Sequence, residues 1–513
     1  MSILNTLTGR RSTSALGVSF PGITLAVIVT CQLMLVLDAT VVNIALPKIQ
    51  NDLGISATTA SWLLNAYLLT FGGLLLLGGR IGDIFGRRRA FMGGLLLFVV
   101  SSLLGGFAQS IGMLIAMRAA QGVGSAIAAP SALSLIATNF AEGNPRNRAL
   151  SVYSAVSSAG GSIGLVLGGA LTAWASWRWV FFINVPIGLV VIALASRVIA
   201  EPRRNPGRLD IAGALTATLG MVSLVYGFIR AASQGWGDHM TWGSFAAAAL
   251  LLGLFVFVES RVNQPLLPLR LLADRNRASA YVAIMLIPAA MFSVFFFLTQ
   301  FMQNALGYSP VIAGLAFLPM TLTMFSTVRI LPRLLPRFGP RPFVILGTSL
   351  MIVALAWFSQ LTASSTFAAS ILGPELLMGL GVGCCFLPLS VIVLTGVRGE
   401  DSGAVSGAMQ TMQQSGASLG VAILVTVFGS ATSAAIAHPL VHTLARSSLR
   451  LQASDILAQG IESVFHTAVL FPTLALLVAL FVIRTLRSNR SAANSGAESD
   501  APNEERIPVG AFD

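Results

Sequence analysis

Charge is scarce in this 513-residue chain: Asp, Glu, Lys and Arg make up 10% of it. A soluble domain carries about 25%, so a large water-facing globule is excluded. Cysteine is nearly absent. The three present, Cys31, Cys384 and Cys385, are odd in number, two are adjacent, and all lie in apolar runs. That argues against a disulfide framework or a zinc site. Histidine is equally scarce at four. His438 and His442 are four apart, but Pro439 between them spoils a helical ligand pair, so no metal is expected. No phosphate-binding glycine loop ending in Lys-Ser or Lys-Thr occurs, which argues against an ATP-driven pump. No span carries a clustered Ser/His/Asp, Cys/His or metal-ligand set, so neither an enzyme nor a cofactor is expected.

Acidic residues number 19 against 31 basic, for a net charge of +12. In a soluble protein that balance suggests nucleic acid. Here the arginines sit in short loops between apolar runs, so membrane topology accounts for them, and no nucleic-acid partner is expected.

What is present is hydrophobicity: 55% of residues are apolar. Runs of roughly 20 apolar residues read as membrane helices, because a helix satisfies its own backbone hydrogen bonds in hydrocarbon. About fourteen recur, from Phe20–Leu46 to Val464–Ile483. The first follows Arg10 and Arg11 like a signal peptide, but it is too long for one and is read as a retained span. With the N-terminus inside, the outer loops hold only Lys48, Arg178, Arg230, Arg446 and Arg450. Arg118 lies within a span, and every other basic residue falls in the inner segments. This obeys the positive-inside rule. The expectation is a monomeric, multi-pass protein of the cell membrane with both termini cytoplasmic and one sizeable outer loop, near 431–463. The tail 488–513 is rich in Ser, Ala, Asn and Glu and is expected to be disordered.

The chain also repeats. "GRIGDIFGRRRAF" (79–91) resembles "PRLLPRFGPRPFV" (332–344), with Gly86 and Gly339 253 residues apart. "SAGGSIG" (158–164) resembles "QSGASLG" (414–420) at an offset of 256. "QGVG" (121–124) resembles "GLGVG" (379–383) at 259. The expected organisation is a short N-terminal tail (1–19), a six-helix bundle (20–198), two linker helices with their loops (199–277), a second six-helix bundle (278–487) and the tail. Parallel repeats of this kind build one large transporter class, with the binding site between the halves.

Three charges fall at membrane depth: Asp38, Arg118 and Glu375. Each costs on the order of 3 kcal/mol on insertion scales, which makes each a functional candidate. Glu375 follows Arg118 by 257 residues, so the two could face each other across a cavity. A poorly hydrated carboxylate can exchange protons near neutral pH, which coupling to a proton gradient requires. Gly160, Gly164 and Gly168 recur every fourth residue, with Gly161 and Gly169 beside them, and let a neighbouring helix approach closely. The phenylalanines at 292, 295, 296, 297 and 301 are a candidate greasy pocket, with Phe296 and Gln300 favoured.

Taken together, "LDATVVNIALPKIQNDLG" (37–54), "GGRIGDIFGRRRAF" (78–91), "RAAQGVGSA" (118–126), "GGSIGLVLGGAL" (160–171) and "WRWVFFINVPIG" (177–188) resemble the major facilitator superfamily in its fourteen-helix drug:proton antiporter branch. The resemblance implies an all-α membrane fold of two six-helix bundles plus two inserted helices. It implies proton or cation coupling at Asp38 and Arg118, and a cytoplasmic latch at Gly79, Gly82, Asp83, Gly86, Arg87 and Arg88. Asp83 is expected to reach a helix start in the other half, besides Arg87 or Arg88. The branch's antiporter motif places proline where this chain has Leu165. The function implied is export of amphipathic or lipophilic small molecules in exchange for protons; the alternative is a proton-coupled symporter or facilitator of one metabolite. Few embedded acids argue against a specialist for dications.

Overall fold

The computed structural model describes residues 21–201, 209–262, 264–397, 401–437 and 448–483. His438 and His442, the inner-loop Arg398 and both tails lie outside them.

Among the described residues, fourteen helices are long and apolar enough to cross a membrane. They are α1 (Pro21–Leu53), α2 (Ala57–Phe85), α3 (Arg87–Gly106), α4 (Ile111–Asn139), α5 (Asn144–Trp174), α6 (Trp179–Val198), α7 (Ile211–Gln234), α8 (His239–Arg261), α9 (Arg275–Ala305), α10 (Pro310–Phe338), α11 (Pro340–Phe358), α12 (Phe367–Leu394), α13 (Gly403–Ala435) and α14 (Asp455–Phe481). The helix entering α14 begins at Ser448. Much of the expected outer loop is therefore helical, because "SLRLQASDILAQGIESVF" is amphipathic and free of proline.

Polar side chains set many of the helix starts. Ser56, Ser110, Asp210, Asp238, Asp274 and Ser309 each accept a backbone N–H from the first turn that follows, which satisfies one of the donors a helix start leaves free. Gly86 (φ 105°) joins α2 to α3, and Gly339 (φ 74°) joins α10 to α11. These are the repeat-related glycines, and both adopt a backbone conformation that side chains resist. A second device repeats with them. Arg88, opening α3, donates to Ile199 O at the end of α6 (2.9 Å). Arg341, opening α11, donates to Ala479 O and Leu480 O at the end of α14 (3.0 and 2.6 Å). A cation at helix carbonyl ends is favourable, so each bundle is tied off at the same corner.

Helices α1–α6 pack together, as do α9–α14. The groups meet along two seams. In one, α2 lies against α13: Ser418 Oγ donates to Asn65 Oδ1 (2.8 Å) and Thr411 Oγ1 to Gly72 O (2.9 Å). Helix α7 packs on both of these helices, with Leu69, Val225, Ile229 and Ala422 forming a small core there. In the other seam, α5 meets α10 through glycine: a Cβ on Gly169 would strike Pro310 O, and one on Gly314 would strike Leu165 O.

The second seam closes at one end only. The glycine contacts lie at the face opposite the arginine-rich turns. Toward the basic face, Ala149 alone is buried between 144 and 157, and Leu331 alone between 322 and 338. The two groups are thus splayed between α5 and α10 at the basic face. At the other face they are sealed by these glycines and by Gln303 of α9, which donates to Ile44 O of α1 (2.9 Å).

Candidate functional site

Asp38 sits mid-way along α1 with 1% of its surface exposed, and Arg118 of α4 has none. The sequence placed both at depth; the structure joins them. Arg118 Nη1 donates to Asp38 Oδ2 at 2.5 Å. The other carboxylate oxygen accepts from Gln121 Nε2 of α4 and Asn184 Nδ2 of α6, each at 3.1 Å. Ser102 Oγ of α3 accepts from Gln121 (2.6 Å) and, more weakly, from Asn184 (3.5 Å). Arg118 also donates to Gln121 Oε1 (3.1 Å) and, through Nε, to Leu63 O of α2 (3.0 Å). Its guanidinium carbon stands 4.3 Å from the Tyr67 ring centroid, a cation–π distance. The Tyr67 hydroxyl in turn meets Ser125 Oγ at 3.1 Å.

Five helices converge on one buried ion pair. Hydrogen bonds to charged groups contribute about 1.5–3 kcal/mol each. Removing one partner of a buried pair typically costs about 3–5 kcal/mol, because it leaves an uncompensated charge. One guanidinium nitrogen, Nη2, still lacks a partner, so the cluster is strong but incomplete. Gln121, Asn184, Ser102 and Tyr67 were not singled out from sequence. Their signal was available: amides and hydroxyls inside apolar spans usually bond across helices.

Glu375 does not face Arg118. Its side chain is wholly buried in α12 and neither carboxyl oxygen has a hydrogen-bond partner. The charge of Arg118 is met by Asp38 of its own bundle, so repeat-equivalent positions do not here imply contact. Phe296 is also fully buried, edge-on to Phe297 at 4.9 Å. Gln300 accepts from Asn304 (2.7 Å), and its own amide nitrogen is unsatisfied.

The glycine stripe packs α5 on α1, the helix that carries Asp38. A Cβ on Gly160 would meet Leu33 and Val36, one on Gly164 Thr40, and one on Gly168 Val41. Gly169 belongs to the α10 seam, and Gly161 has nothing within 4 Å. At the basic face, Asp83 pairs with Arg87 at 2.9 Å, one turn away in sequence. Arg88 turns to Ile199 O and, at 3.9 Å, Glu201. Among the described residues Asp83 makes no hydrogen bond or ion pair to the other bundle. The expected cross-bundle latch is not formed here, which fits the splayed α5–α10 seam. Gly82 and Gly86 admit close neighbours, Ser131 Oγ and Glu201 Oε1 respectively, while Gly79 has only Pro130 near it. Two crevices of about 450 Å³ flank the α7–α8 hairpin, away from the Asp38 cluster.

Comparison with known proteins agrees with this architecture. The family model described as Major Facilitator Superfamily matches residues 28–421. Among curated relatives, "Cephamycin export protein CmcT" of Amycolatopsis lactamdurans is 42% identical over 387 residues, covering 74% of this chain and 80% of the relative. "Puromycin resistance protein pur8" of Streptomyces alboniger is 42% identical over 392 residues, 75% of this chain and 78% of that one. Among solved structures, a bacterial homologue of the human lysosomal transporter Spinster, in an inward-facing and unoccupied conformation, superposes with a TM-score of 0.63 at 15% identity. That match covers 90% of this chain and 97% of the other, a likeness of fold.

Proposed function

Because the chain belongs to the major facilitator superfamily, in its fourteen-helix branch, and is a multi-pass membrane transporter, we propose that it exports amphipathic antibiotics or related lipophilic compounds in exchange for protons. The observation that carries the reading is the Asp38–Arg118 pair: an acid held in a dry, five-helix site in a chain whose relatives are named for antibiotic export and resistance. The basic face is cytoplasmic by the positive-inside rule. The splayed state is then the inward-open one.

Coupling runs from Asp38 to the seam. While Asp38 is ionised, Arg118 is held to α1. A proton on Asp38 cancels that attraction and leaves Arg118 to Gln121 of its own helix and to Leu63 O and the Tyr67 ring, both on α2. Helix α2 carries the polar contacts to α13, so a proton event reaches the joint between the bundles through one helix. The Asp83 motif acts as a latch that forms as the basic face closes. A modest energy suits it, because a partly exposed pair of this kind is worth about 1 kcal/mol or less and must break in each cycle. Gln300, near the α1–α9 contact, is better placed than Phe296 to meet cargo.

Cells carrying the wild-type chain should hold less cargo than deletion cells, and a proton ionophore should abolish the difference. Asp38→Asn should behave like the deletion. If the ionophore instead lowers accumulation, the protein is an importer and the export reading fails.

A further inference from the structure

The Asp38 cluster leaves one charge at membrane depth unused. Glu375 has no exposed surface, and both its carboxyl oxygens lack partners. It stands 257 residues after Arg118, yet the same offset takes Asp38 to Phe295 and Gln121 to Met378. At these positions the C-terminal bundle has neither the arginine nor the glutamine that donate to Asp38 in the first. An acid in such a place adds no stability, since an apolar side chain would fill the volume without orphaned oxygens. Its surroundings are irregular in a particular way. Residues Phe367–Ile371, just before it, are π-helical, and so are Phe301–Ala305 at the end of α9. The two helices pack together. Beside the second π turn lie two further buried atoms without partners, Thr299 Oγ1 and Gln300 Nε2. π turns recur at functional sites, and here both mark the sealed face.

We propose that Glu375 is a second proton carrier, in the C-terminal bundle, loaded and unloaded independently of Asp38. Its carboxylate takes one proton from the outer aqueous phase when the sealed face opens and gives that proton up at the basic face. Only the O–H bond forms and breaks. The inference rests on the antiport reading and adds to it that a cycle moves two protons.

The test uses the full chain in sealed vesicles with the membrane potential clamped at zero, and ethidium and puromycin as probes. At steady state each coupled proton changes the cargo ratio about tenfold per unit of imposed pH difference. The slope of the logarithm of that ratio should be two for wild type and one for Glu375→Gln. Glu375→Asp, which keeps the acid, should return it to two. Detergent melting of Glu375→Gln and Glu375→Leu, expected at or above wild type, shows that the variants fold. A wild-type slope of one, or an unchanged slope in Glu375→Gln, overturns the second carrier and leaves antiport standing. Loss of one probe's binding in Glu375→Gln at an unchanged slope makes Glu375 a cargo contact and likewise overturns it. A wild-type slope of zero for both probes overturns the antiport reading beneath.

Discussion

Arg118→Met isolates the ion pair at the centre of the N-terminal bundle. It removes the 2.5 Å contact to Asp38 Oδ2, the contacts to Gln121 and Leu63 O, and the guanidinium over Tyr67. Asp38 keeps only two amide donors, both on its other oxygen. A buried charge stripped of its partner costs about 3–5 kcal/mol, and Asp38→Leu, which orphans Arg118, should cost about the same. Replacing both together leaves no uncompensated charge, and a buried pair exchanged for apolar residues is often neutral or better. The double variant should therefore lie within about 1–2 kcal/mol of wild type, although the sum of the singles would be about 6–10. Unfolding titrations in detergent measure all four corners of this cycle. Transport should be absent in every variant, including the stable double one. Additivity within about 0.5 kcal/mol would refute the claim that the two side chains act as a pair.

Three other perturbations follow from the geometry. Asp83→Asn breaks a pair whose side chains are about 30% exposed, so yield and melting should be unchanged within about 1 kcal/mol while the transport rate falls; wild-type rates would remove the latch from the mechanism. Gly169→Leu places a side chain on Pro310 O and should hold the sealed face apart, raising the labelling rate of a cysteine put at Gln303 several-fold; an unchanged rate means that α5 and α10 do not seal it. Asp238, in the α7–α8 turn, is held below the ordinary carboxylate range by Arg230 and by Thr241 N–H. Its contribution is therefore present above the ordinary carboxylate pKa and is lost as acid takes the pH below its lowered one. Tryptophan emission from Trp236 and Trp242, which lie beside the turn, should shift only in that strongly acidic range, and Asp238→Asn should abolish the shift.

Most of the architecture was legible in the sequence because lipid leaves few choices. Long apolar runs must be helices, and the fourteen expected are present among the described residues. The repeat was visible in Gly86 and Gly339, since a positive φ tolerates few other residues. The site was legible only in part. Asp38 and Arg118 stood out because charge at depth is costly, but their pairing depends on a separation of 80 residues that no local pattern encodes. Gln121, Asn184 and Ser102 are ordinary residue types that matter only once five helices bring them together. Glu375 is buried at depth as expected but makes no contact with Arg118: a repeat predicts where a residue lies, and its partners depend on substitutions elsewhere, such as Phe295 for Asp38. The latch was read as a link between bundles, but here Asp83 pairs with Arg87, one turn away on its own side.

The inserted hairpin makes the two flanks of the protein unequal. Helix α7 clasps both α2 and α13, and Thr426 Oγ1 of α13 donates to Phe228 O of α7 (2.6 Å). A bare pair of six-helix units would be free to part along either flank. This one is bound like a book, with α7 as the spine and the α5–α10 edge parted only at the basic face. The gap between the two groups at the basic face therefore lies on the side away from the spine.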